Sequence, residues 1–320
     1  MKISVVIPIY QEILFIDNIF NFVIDAEPHD KEIFFIDGGS NDGTLEYLKD
    51  KLNDGKNIYI LDNPRKTVPF ALNLAIPLCK GDIIVRLDAH TQYSKDYFEK
   101  ILETFLETGA DIVGGPMRIA KGSSLQNAIG IATTSKFGIG NSSFHFENYK
   151  GFTQSVYLGA WKKSIFDKIG LFDIFFKRNQ DDEFHYRAGK NGLKIYQNPE
   201  IKLYYFPRNS FKKLFIQYFQ YGLYKPRVLI KNSNGLSARH LIPLLFVFYL
   251  LSLPVLLYNF NNLIVCLPLN LYLILAFYFS FKKISNIKVK GTTLIVYPII
   301  HIGYGLGFIF GIFKVFKKSS

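Results

Sequence analysis

Short apolar runs alternate with amphipathic stretches along the first part of the chain. Five runs are rich in β-forming residues and too short for helices, so each is predicted to be a buried strand. They cover residues 2–10, 32–37, 58–61, 83–87 and 111–113. Apolar residues recur at helical spacing over 13–24, 68–75 and 97–108. Strands that alternate with helices predict βαβ units and a mainly parallel α/β sheet.

The regular alternation stops at residues 121–155. Residues 125–131 predict a short helix. The Gly/Ser-rich residues 137–143 predict a mobile loop, which would either order around a ligand or simply connect elements at the surface. We interpret residues 158–169 as a helix with a glycine near its entry, and a further helix is predicted to begin near residue 180.

Three long uncharged apolar runs occupy residues 241–258, 263–281 and 291–313. Each is about long enough to span a hydrocarbon core of ~30 Å. Before them, residues 211–231 alternate apolar side chains with lysines, which predicts a helix in the membrane interface. His301, in the third run, is predicted to be a packing residue, although a histidine inside a membrane can also be functional.

Charge divides the chain in the same way. The net charge of +12 at pH 7 comes from residues 201–320, which hold 15 lysines and arginines and no acidic residue. Because these basic residues flank apolar runs, they favour an anionic membrane surface over nucleic acid as a partner. Cys79 and Cys266 have no metal-site or disulfide spacing. No signal peptide is evident, so we expect the soluble part in the cytoplasm.

The strand predicted at residues 83–87 runs directly into Asp88, Ala89 and His90. Ligands of open α/β sheets bind beyond the carboxyl ends of such strands. Residues two apart on an extended chain point to the same side, so Asp88 and His90 could both contact a Mn²⁺ or Mg²⁺ ion. The alternative is an aspartate that caps the next helix and a surface histidine. The chain has neither a dinucleotide glycine fingerprint nor a P-loop motif.

Three consecutive carboxylates, Asp181, Asp182 and Glu183, open the helix predicted near residue 180. Acidic residues at a helix N-terminus interact favourably with the helix dipole. An aspartate held beside other carboxylates at such a position can also serve as a general base. From the residues alone, capping is the simpler interpretation and catalysis the alternative.

Five segments together resemble family 2 glycosyltransferases, most closely the membrane-attached bacterial kind that builds exopolysaccharide, of the succinoglycan-biosynthesis type. They are VVIPIYQE at 5–12, FIDGGSNDGT at 35–44, PFALNLAI at 69–76, GDIIVRLDAHTQY at 81–93 and NQDDEFHYRAGKNGLKI at 179–195. They occur in the family's order and cover most of residues 1–200. The resemblance implies a GT-A fold and an inverting transfer from a nucleotide sugar, with a UDP-sugar as the expected donor.

The resemblance also implies how the donor is bound. Pro8, Tyr10 and Glu12 match positions that hold the nucleotide base and ribose, and Asp37 matches an aspartate that contacts uracil. Asn73, in the third segment, is likewise expected to contribute to substrate binding.

A metal site is implied by the fourth segment. Asp88 matches the first aspartate of the family's Asp-x-Asp motif, and it is also expected to bind substrate through the cation. The motif here is Asp88-Ala89-His90, the variant usual in this subgroup, so His90 becomes the second expected ligand of a Mn²⁺ or Mg²⁺ cofactor.

The catalytic base is implied by the fifth segment. Asp181 matches the aspartate of the family's Glu-Asp-x-Glu-Leu motif, with Gln180 in place of the first glutamate and Asp182 as an expected substrate contact. Gln217 resembles part of a Gln-x-x-Arg/Tyr-Trp signature. The match implies that its helix borders the active site and admits a lipid-linked acceptor.

We therefore expect a GT-A catalytic domain over residues 1–207, a basic interface segment over 208–239 and a transmembrane region over 240–320. The expected enzyme moves a sugar to a lipid-linked saccharide in polysaccharide or glycolipid biosynthesis. Two alternatives are a polyprenyl-phosphate sugar synthase, which would act on the bare lipid phosphate, and a catalytically silent membrane scaffold. Nucleic acid is not an expected partner.

The positive-inside rule predicts the orientation of a multi-pass protein in the plasma (inner) membrane. The catalytic domain, residues 208–239 and the lysines of residues 282–290 would be cytoplasmic, with residues 259–262 outside. A third full crossing would place Lys314, Lys317 and Lys318 outside, against the rule. A re-entrant third segment is the alternative, since irregular backbone at membrane depth is tolerated when buried in protein.

Overall fold

The computed structural model describes residues 1–52, 57–140, 143–231, 238–282 and 286–316. It divides into two compact units, which we call the catalytic unit and the helical unit. The catalytic unit comprises Met1–Arg118 and Ser143–Tyr205, and the helical unit comprises Ile119–Ser142 and Phe206–Ser320. The grouping of Ile119–Ser142 with the C-terminal helices is not evident from the sequence pattern.

Two sheets form the catalytic unit. The larger sheet contains β1 (Ile3–Ile9), β2 (Lys31–Asp37), β3 (Ile58–Asp62), β4 (Ile83–Arg86), β6 (Ile112–Gly115), β8 (Gly151–Thr153), β9 (Tyr157–Lys162) and β10 (Ile195–Gln197). The smaller sheet contains β5 (Thr91–Tyr93), β7 (Met117–Ile119) and β11 (Leu203–Tyr205). The strand order in the larger sheet is β3-β2-β1-β4-β9-β6-β10-β8.

Parallel pairing dominates the larger sheet. β3, β2, β1 and β4 pair in parallel, as do β6 and β10. β9 lies between β4 and β6 and is antiparallel to both, and β8 is antiparallel to β10. The predicted α/β class with a mostly parallel central sheet is therefore confirmed.

Helices cover both faces of this sheet, which is why its strands are apolar on both sides. The helices are α1 (Ile16–Asp25), α2 (Thr44–Lys51), α3 (Val68–Ala75), α4 (Tyr97–Thr108), α7 (Ser164–Ile169) and α8 (Gln180–Lys190). One core lies between the sheet and α1 and α4, and includes Val5 and Val85. The other lies between the sheet and α3, α7 and α8, and includes Val6 and Ile84.

The helix predicted over residues 158–169 is wrong in its first half, because β9 precedes α7 there. Ala160 pairs with Val85 on one side and Val113 on the other, and its side chain lies in the first core. Trp161 lies in the second core. A strand buried on both faces has no apolar–polar alternation, so its pattern cannot be told from that of a buried helix.

Six helices are described in the helical unit. They are α5 (Ser124–Thr133), α6 (Lys136–Ile139), α9 (Phe211–Lys231), α10 (Ala238–Asn259), α11 (Asn262–Lys282) and α12 (Ile287–Phe316). Among the described residues, α10, α11 and α12 are long and apolar enough to cross a membrane, and they contain the three apolar runs noted in the sequence. These helices indicate membrane association.

The backbones of α9 and α12 approach closely through glycines. A Cβ built on Gly303, Gly307 or Gly311 of α12 would lie 3.1, 2.0 or 2.5 Å from a carbonyl oxygen of α9. A Cβ on Gly222 of α9 would lie 2.1 Å from the carbonyl oxygen of Tyr304. Small residues spaced four apart allow such contact between helices. The helix predicted to lie in the membrane interface therefore packs along an apolar helix.

The loop predicted over residues 137–143 is partly helical, since α6 covers its first three residues. Asn141 and Ser142 lie outside the described residues. The Phe137 ring packs against Tyr272 and Phe279, and His301 Nε2 donates to the Phe137 and Gly138 carbonyls at 3.1 Å. This part of the segment is anchored because its carbonyls and its half-buried ring contact α11 and α12. The packing role expected of His301 agrees with these contacts.

Candidate active site

Side chains along a strand point alternately to its two faces, and this alternation decides where Arg86, the last residue of β4, points. Ile84 points into the core beneath α8, and Arg86, two residues later on the same strand, points to the same face. α8 also packs on this face through Phe184 and Ala188. The strand end and the first turn of α8 are thereby brought together.

Arg86 bridges the two carboxylates that the sequence singled out. Its Nη1 donates to both oxygens of Asp181 at 3.0 and 2.9 Å, and its Nε and Nη2 donate to Asp88 Oδ1 at 3.2 and 3.0 Å. The Arg86 side chain is 6% exposed, whereas those of Asp88 and Asp181 are 18% and 35% exposed. A buried guanidinium thus holds two carboxylates that remain partly accessible.

The charge of Arg86 is stabilised by this arrangement. Burial opposes the charged form, but the carboxylates of Asp88 and Asp181 outweigh it and raise the pKa of Arg86 above its ordinary value. Tyr93 fixes the backbone beside it, because its hydroxyl accepts from the Asp88 N–H at 2.8 Å and donates to the Asp88 carbonyl at 3.2 Å. Burial raises the pKa of Tyr93, which stays a neutral hydroxyl.

His90 lies just beyond Asp88 and contacts a residue of the first strand–helix connection. Its Nδ1 is 3.0 Å from Oε1 of Glu12, and the ring lies edge-to-face with that of Phe15. The side chain of Glu12, expected to bind nucleotide, is therefore directed to the expected metal ligand.

The turn after β2 is built around Asp37. Its carboxylate accepts from the Ser40 hydroxyl at 2.6 Å and from the backbone N–H groups of Gly39 and Ser40. Gly39 adopts a φ of 77°, a conformation that glycine reaches without strain. Asp37 is 2% exposed, so these bonds give it a structural role in addition to the predicted base contact.

Pro8 and Tyr10 lie at the carboxyl end of β1, next to this turn. Pro8 pairs with Ile36 of β2, one residue before Asp37. The Tyr10 side chain is exposed, and the Lys66 ammonium lies 5.2 Å from its ring centroid. The aromatic ring and the cation make this strand end suitable for a base or a phosphate.

The remaining expected substrate contacts differ in their surroundings. Both ends of the Asn73 amide bond the backbone of Phe172, at 2.7 and 3.0 Å, which favours a structural role. Asp182 lies beside Asp181 in the first turn of α8 and is half-buried. In the helical unit, Gln217 donates to the Tyr221 hydroxyl one turn later at 3.0 Å.

The acidic residues in the first turn of α8 have different partners. Glu183 is fully buried and pairs with Arg187 at 2.9 Å, and Arg187 also donates to the carbonyl of Leu171. Asp181 instead pairs with Arg86, so its contacts extend beyond those of a helix cap. His185 is buried with Nδ1 2.9 Å from the Ser155 hydroxyl; burial lowers its pKa, against the charges of Asp181 and Asp182.

The donor set at the strand end fits a hard divalent cation bound together with a diphosphate. In the part of the chain that the structure describes, no three His, Cys, Asp or Glu side chains form a complete metal cage. Both contacts from Arg86 to Asp88 fall on Oδ1, so Oδ2 can serve a cation. Mg²⁺ and similar ions are commonly held by one or two carboxylates together with substrate phosphates and water. Asp88 supplies one such carboxylate, and the His90 imidazole lies two residues further along the chain.

Arg86 and Tyr93 are the residues of this candidate site that sequence reasoning missed. Both lie inside the fourth of the segments that carry the family resemblance. A charged residue at the end of an otherwise apolar run was the available signal, because a buried arginine requires anionic partners.

Known proteins match much of this chain. The model of glycosyl transferase family 2 matches residues 4–170. Succinoglycan biosynthesis protein ExoA of Rhizobium meliloti (strain 1021) is 32% identical over 219 residues, which are 68% of this chain and 66% of that protein.

A second relative comes from Methanococcus voltae. This dolichyl N-acetyl-alpha-D-glucosaminyl phosphate 3-beta-D-2,3-diacetamido-2,3-dideoxy-beta-D-glucuronosyltransferase is 31% identical over 264 residues, covering 78% of this chain and 80% of its own length.

Among solved structures, the mannosyltransferase PcManGT from Pyrobaculum calidifontis, in complex with GDP-Man and Mn²⁺, superimposes with a TM-score of 0.67. The match covers 98% of this chain and 87% of that protein at 15% sequence identity, so it bears on the fold alone. The fold is GT-A, and the chain belongs to the family 2 glycosyl transferases.

Proposed function

We propose that this glycosyltransferase moves a sugar from a nucleotide-sugar donor to a lipid-linked saccharide, with inversion at the anomeric carbon. The observation that carries the proposal is the convergence of Asp88 and Asp181 on Arg86 at the carboxyl end of β4. Asp88 is suited to bind the leaving diphosphate through a cation, and Asp181 is suited to take the proton of the attacking hydroxyl. An inverting displacement needs those two functions on opposite sides of one sugar.

Asp181 is the proposed general base. Its side chain is partly exposed, and Arg86 holds its carboxylate from the buried side. Its outer side can therefore receive the acceptor hydroxyl and take its proton as the oxygen attacks the anomeric carbon. Direct attack by the acceptor, without a covalent enzyme intermediate, inverts the configuration of that carbon.

Asp88 and His90 are the proposed ligands of Mn²⁺ or Mg²⁺, an ion that would neutralise charge on the leaving nucleoside diphosphate. Tyr93 keeps Asp88 in place through its two backbone bonds. PcManGT, with which this chain shares its fold, binds Mn²⁺ together with its sugar nucleotide.

The donor nucleotide is proposed to lie along the ends of β1 and β2, against Pro8, Tyr10 and Asp37; the family resemblance also assigns Glu12 to the nucleotide. A UDP-sugar is the expected donor because Asp37 matches the uracil contact of the family. The exposed Tyr10 ring and the Lys66 ammonium provide stacking and charge at this edge. Asn73, Asp182 and Gln217 are retained as proposed contributors to substrate binding.

A lipid-linked saccharide is the proposed acceptor. The Methanococcus voltae relative is named for transfer to a dolichyl-linked sugar phosphate, and ExoA for the synthesis of a polysaccharide. The described helices of the helical unit, three of which could cross a membrane, suit a protein that meets its acceptor at a bilayer. We place the protein in the plasma membrane as a multi-pass protein, with the catalytic unit in the cytoplasm.

The proposal is tested with membranes that contain the protein and a panel of radiolabelled UDP- and GDP-sugars. Label should enter a lipid extract and be released by mild acid as an oligosaccharide that is longer than one sugar. Release of a monosaccharide would indicate the polyprenyl-phosphate sugar synthase instead. No incorporation from any donor, with the same result for Asp88→Ala, would indicate the silent scaffold.

A further inference from the structure

Glu12 makes several hydrogen bonds within the protein. Its backbone N–H donates to the Thr44 hydroxyl at 2.9 Å, and its carbonyl accepts from the N–H groups of Phe15 and Ile16 at 2.8 Å. With the backbone fixed in this way, the side chain reaches across to His90, where Oε1 lies 3.0 Å from Nδ1.

The chemistry of this pair selects one form of the imidazole. An ionised carboxylate only accepts hydrogen bonds, so the proton of a neutral His90 must lie on Nδ1. The lone pair of the ring then lies on Nε2, which is the form that can ligate a cation. The Phe15 ring lies beside the imidazole in an edge-to-face arrangement, with the two ring centroids 6.2 Å apart.

We propose that Glu12 is a positioning residue for the metal site: it fixes the tautomer and orientation of His90 so that Nε2 faces the cation. The proposal rests on the proposed function, in which Asp88 and His90 bind Mn²⁺ or Mg²⁺. It goes beyond it because Glu12 then acts through His90, whereas the family resemblance assigns it to the nucleotide. Carboxylates that bond the second nitrogen of a ligating histidine typically contribute about 10- to 100-fold in metal affinity.

The two roles of Glu12 make different predictions for the Glu12→Gln variant. A side-chain amide can donate to Nδ1 as well as accept from it, so it no longer excludes the tautomer with its proton on Nε2, which cannot ligate a cation through that nitrogen. A ribose contact, by contrast, is lost whether or not a cation is present. Glu46→Gln, which changes an exposed glutamate on α2, is the matched control.

The experiment measures Mn²⁺ binding by electron paramagnetic resonance on full-length protein in detergent, with saturating UDP or GDP. Nucleotide affinity is measured separately in EDTA. For Glu12→Gln we expect Mn²⁺ affinity to fall by about 10- to 100-fold, while metal-free nucleotide affinity stays within about twofold of wild type. Glu46→Gln should match wild type in both measurements.

A second measurement does not require metal. Nitrogen NMR shifts of ¹⁵N-labelled histidines should show His90 protonated on Nδ1 in the metal-free wild type and altered in Glu12→Gln. Unchanged Mn²⁺ affinity in Glu12→Gln, with metal-free nucleotide affinity lost, would overturn this proposal and leave the metal site intact. If Asp88→Ala also retained wild-type Mn²⁺ affinity, the metal part of the proposed function would fail with it.

Discussion

At the residue scale, the contacts of Arg86 determine the geometry of the candidate site. Arg86 is the last residue of β4, and its guanidinium joins Asp88 on the same chain segment to Asp181 on α8. The planar fork of arginine can contact two carboxylates at once, whereas the ammonium of lysine is a single point of charge. Removal of one partner from a buried ion pair lowers the stability of the folded protein by about 3–5 kcal/mol. Truncation of Arg86 would therefore test folding more than catalysis.

The Arg86→Lys variant separates the two effects because it keeps the charge and loses the fork. We expect kcat to fall by at least ~10²-fold, the usual scale of general-base catalysis, because Asp181 loses its fixed orientation. The KM for the donor should change little. Lys162→Arg, on the neighbouring strand β9, controls for exchange of the two cations. Wild-type kcat in Arg86→Lys would show that the bridge does not position the base.

His185 is expected to make the stability of the folded protein depend on pH. Its pKa is lowered by burial in the folded protein, whereas in the unfolded chain it titrates near ~6.5. Below that pH the unfolded state binds the proton more readily, so the free energy of unfolding decreases as pH falls. Above that pH both states are neutral at this position, and the contribution of His185 is constant.

Thermal unfolding from about pH 7 to about pH 5 measures this effect. The wild type should lose more stability over that interval than His185→Asn, whose amide can keep the bond to Ser155. His29→Asn, at an exposed histidine, should follow the wild type. Equal pH dependence in wild type and His185→Asn would contradict the assignment.

Sequence patterns singled out Asp88 and Asp181 but not Arg86, the residue that joins them. Asp88 and Asp181 could be found because polar side chains interrupt apolar runs at strand and helix ends. Their contact through Arg86 depends on which face of β4 packs against α8, and residues 86 and 181 are far apart in the chain. The pairing of Glu12 with His90 depends on tertiary structure in the same way.

At the element scale, the long and strongly periodic elements were predictable and the elements buried on all sides were not. α4 matches its predicted bounds because its four buried apolar residues, Tyr97, Phe98, Ile101 and Phe105, keep helical spacing. β9 was mistaken for a helix because residues on both of its faces are buried. The Gly/Ser-rich composition around α6 suggested a loop, but packing of the Phe137 ring against α11 and α12 outweighs local propensity there.

The close contact between α9 and α12 can be tested with two glycine-to-alanine variants of α12. Gly307→Ala would place a methyl group 2.0 Å from the carbonyl oxygen of Phe219, so the helices must separate. Overpacking of this kind typically costs about 1–3 kcal/mol. Gly291→Ala, on the same helix, meets no atom within 4 Å and should be neutral or stabilising by up to about 1 kcal/mol.

Thermal unfolding in detergent compares the two variants. A lower midpoint for Gly307→Ala than for Gly291→Ala is expected. Equal midpoints would mean that the two helices do not need their close approach.

At the scale of the whole molecule, three apolar helices and a segregated positive charge predict the topology of the proposed membrane protein. α12 is helical throughout Ile287–Phe316, so its described residues lack the irregular backbone of a re-entrant segment. We therefore expect three full crossings, with the end of the chain outside. Lys283, Lys317 and Lys318, on which the charge argument partly depends, lie outside the described residues.

Reporter fusions at Asn261, Ser285 and Ser320 measure this topology, although the last two positions lie outside the described residues. The expected signals are external, cytoplasmic and external. A cytoplasmic signal at Asn261 would contradict the hairpin of α10 and α11. A cytoplasmic signal at Ser320 would instead support the re-entrant alternative.

The central claim is that Asp88 and Asp181 perform separate halves of one metal-dependent sugar transfer. The most direct test compares Asp88→Ala and Asp181→Asn in the same two assays: nucleotide binding with and without Mn²⁺, and transfer of the sugar. Asp167→Asn, at an exposed acid on α7, is the control. The account predicts that Asp88→Ala loses metal-dependent binding, whereas Asp181→Asn binds normally and turns over at least ~10²-fold more slowly. Parallel loss of binding in both variants, or full transfer by either, would contradict it.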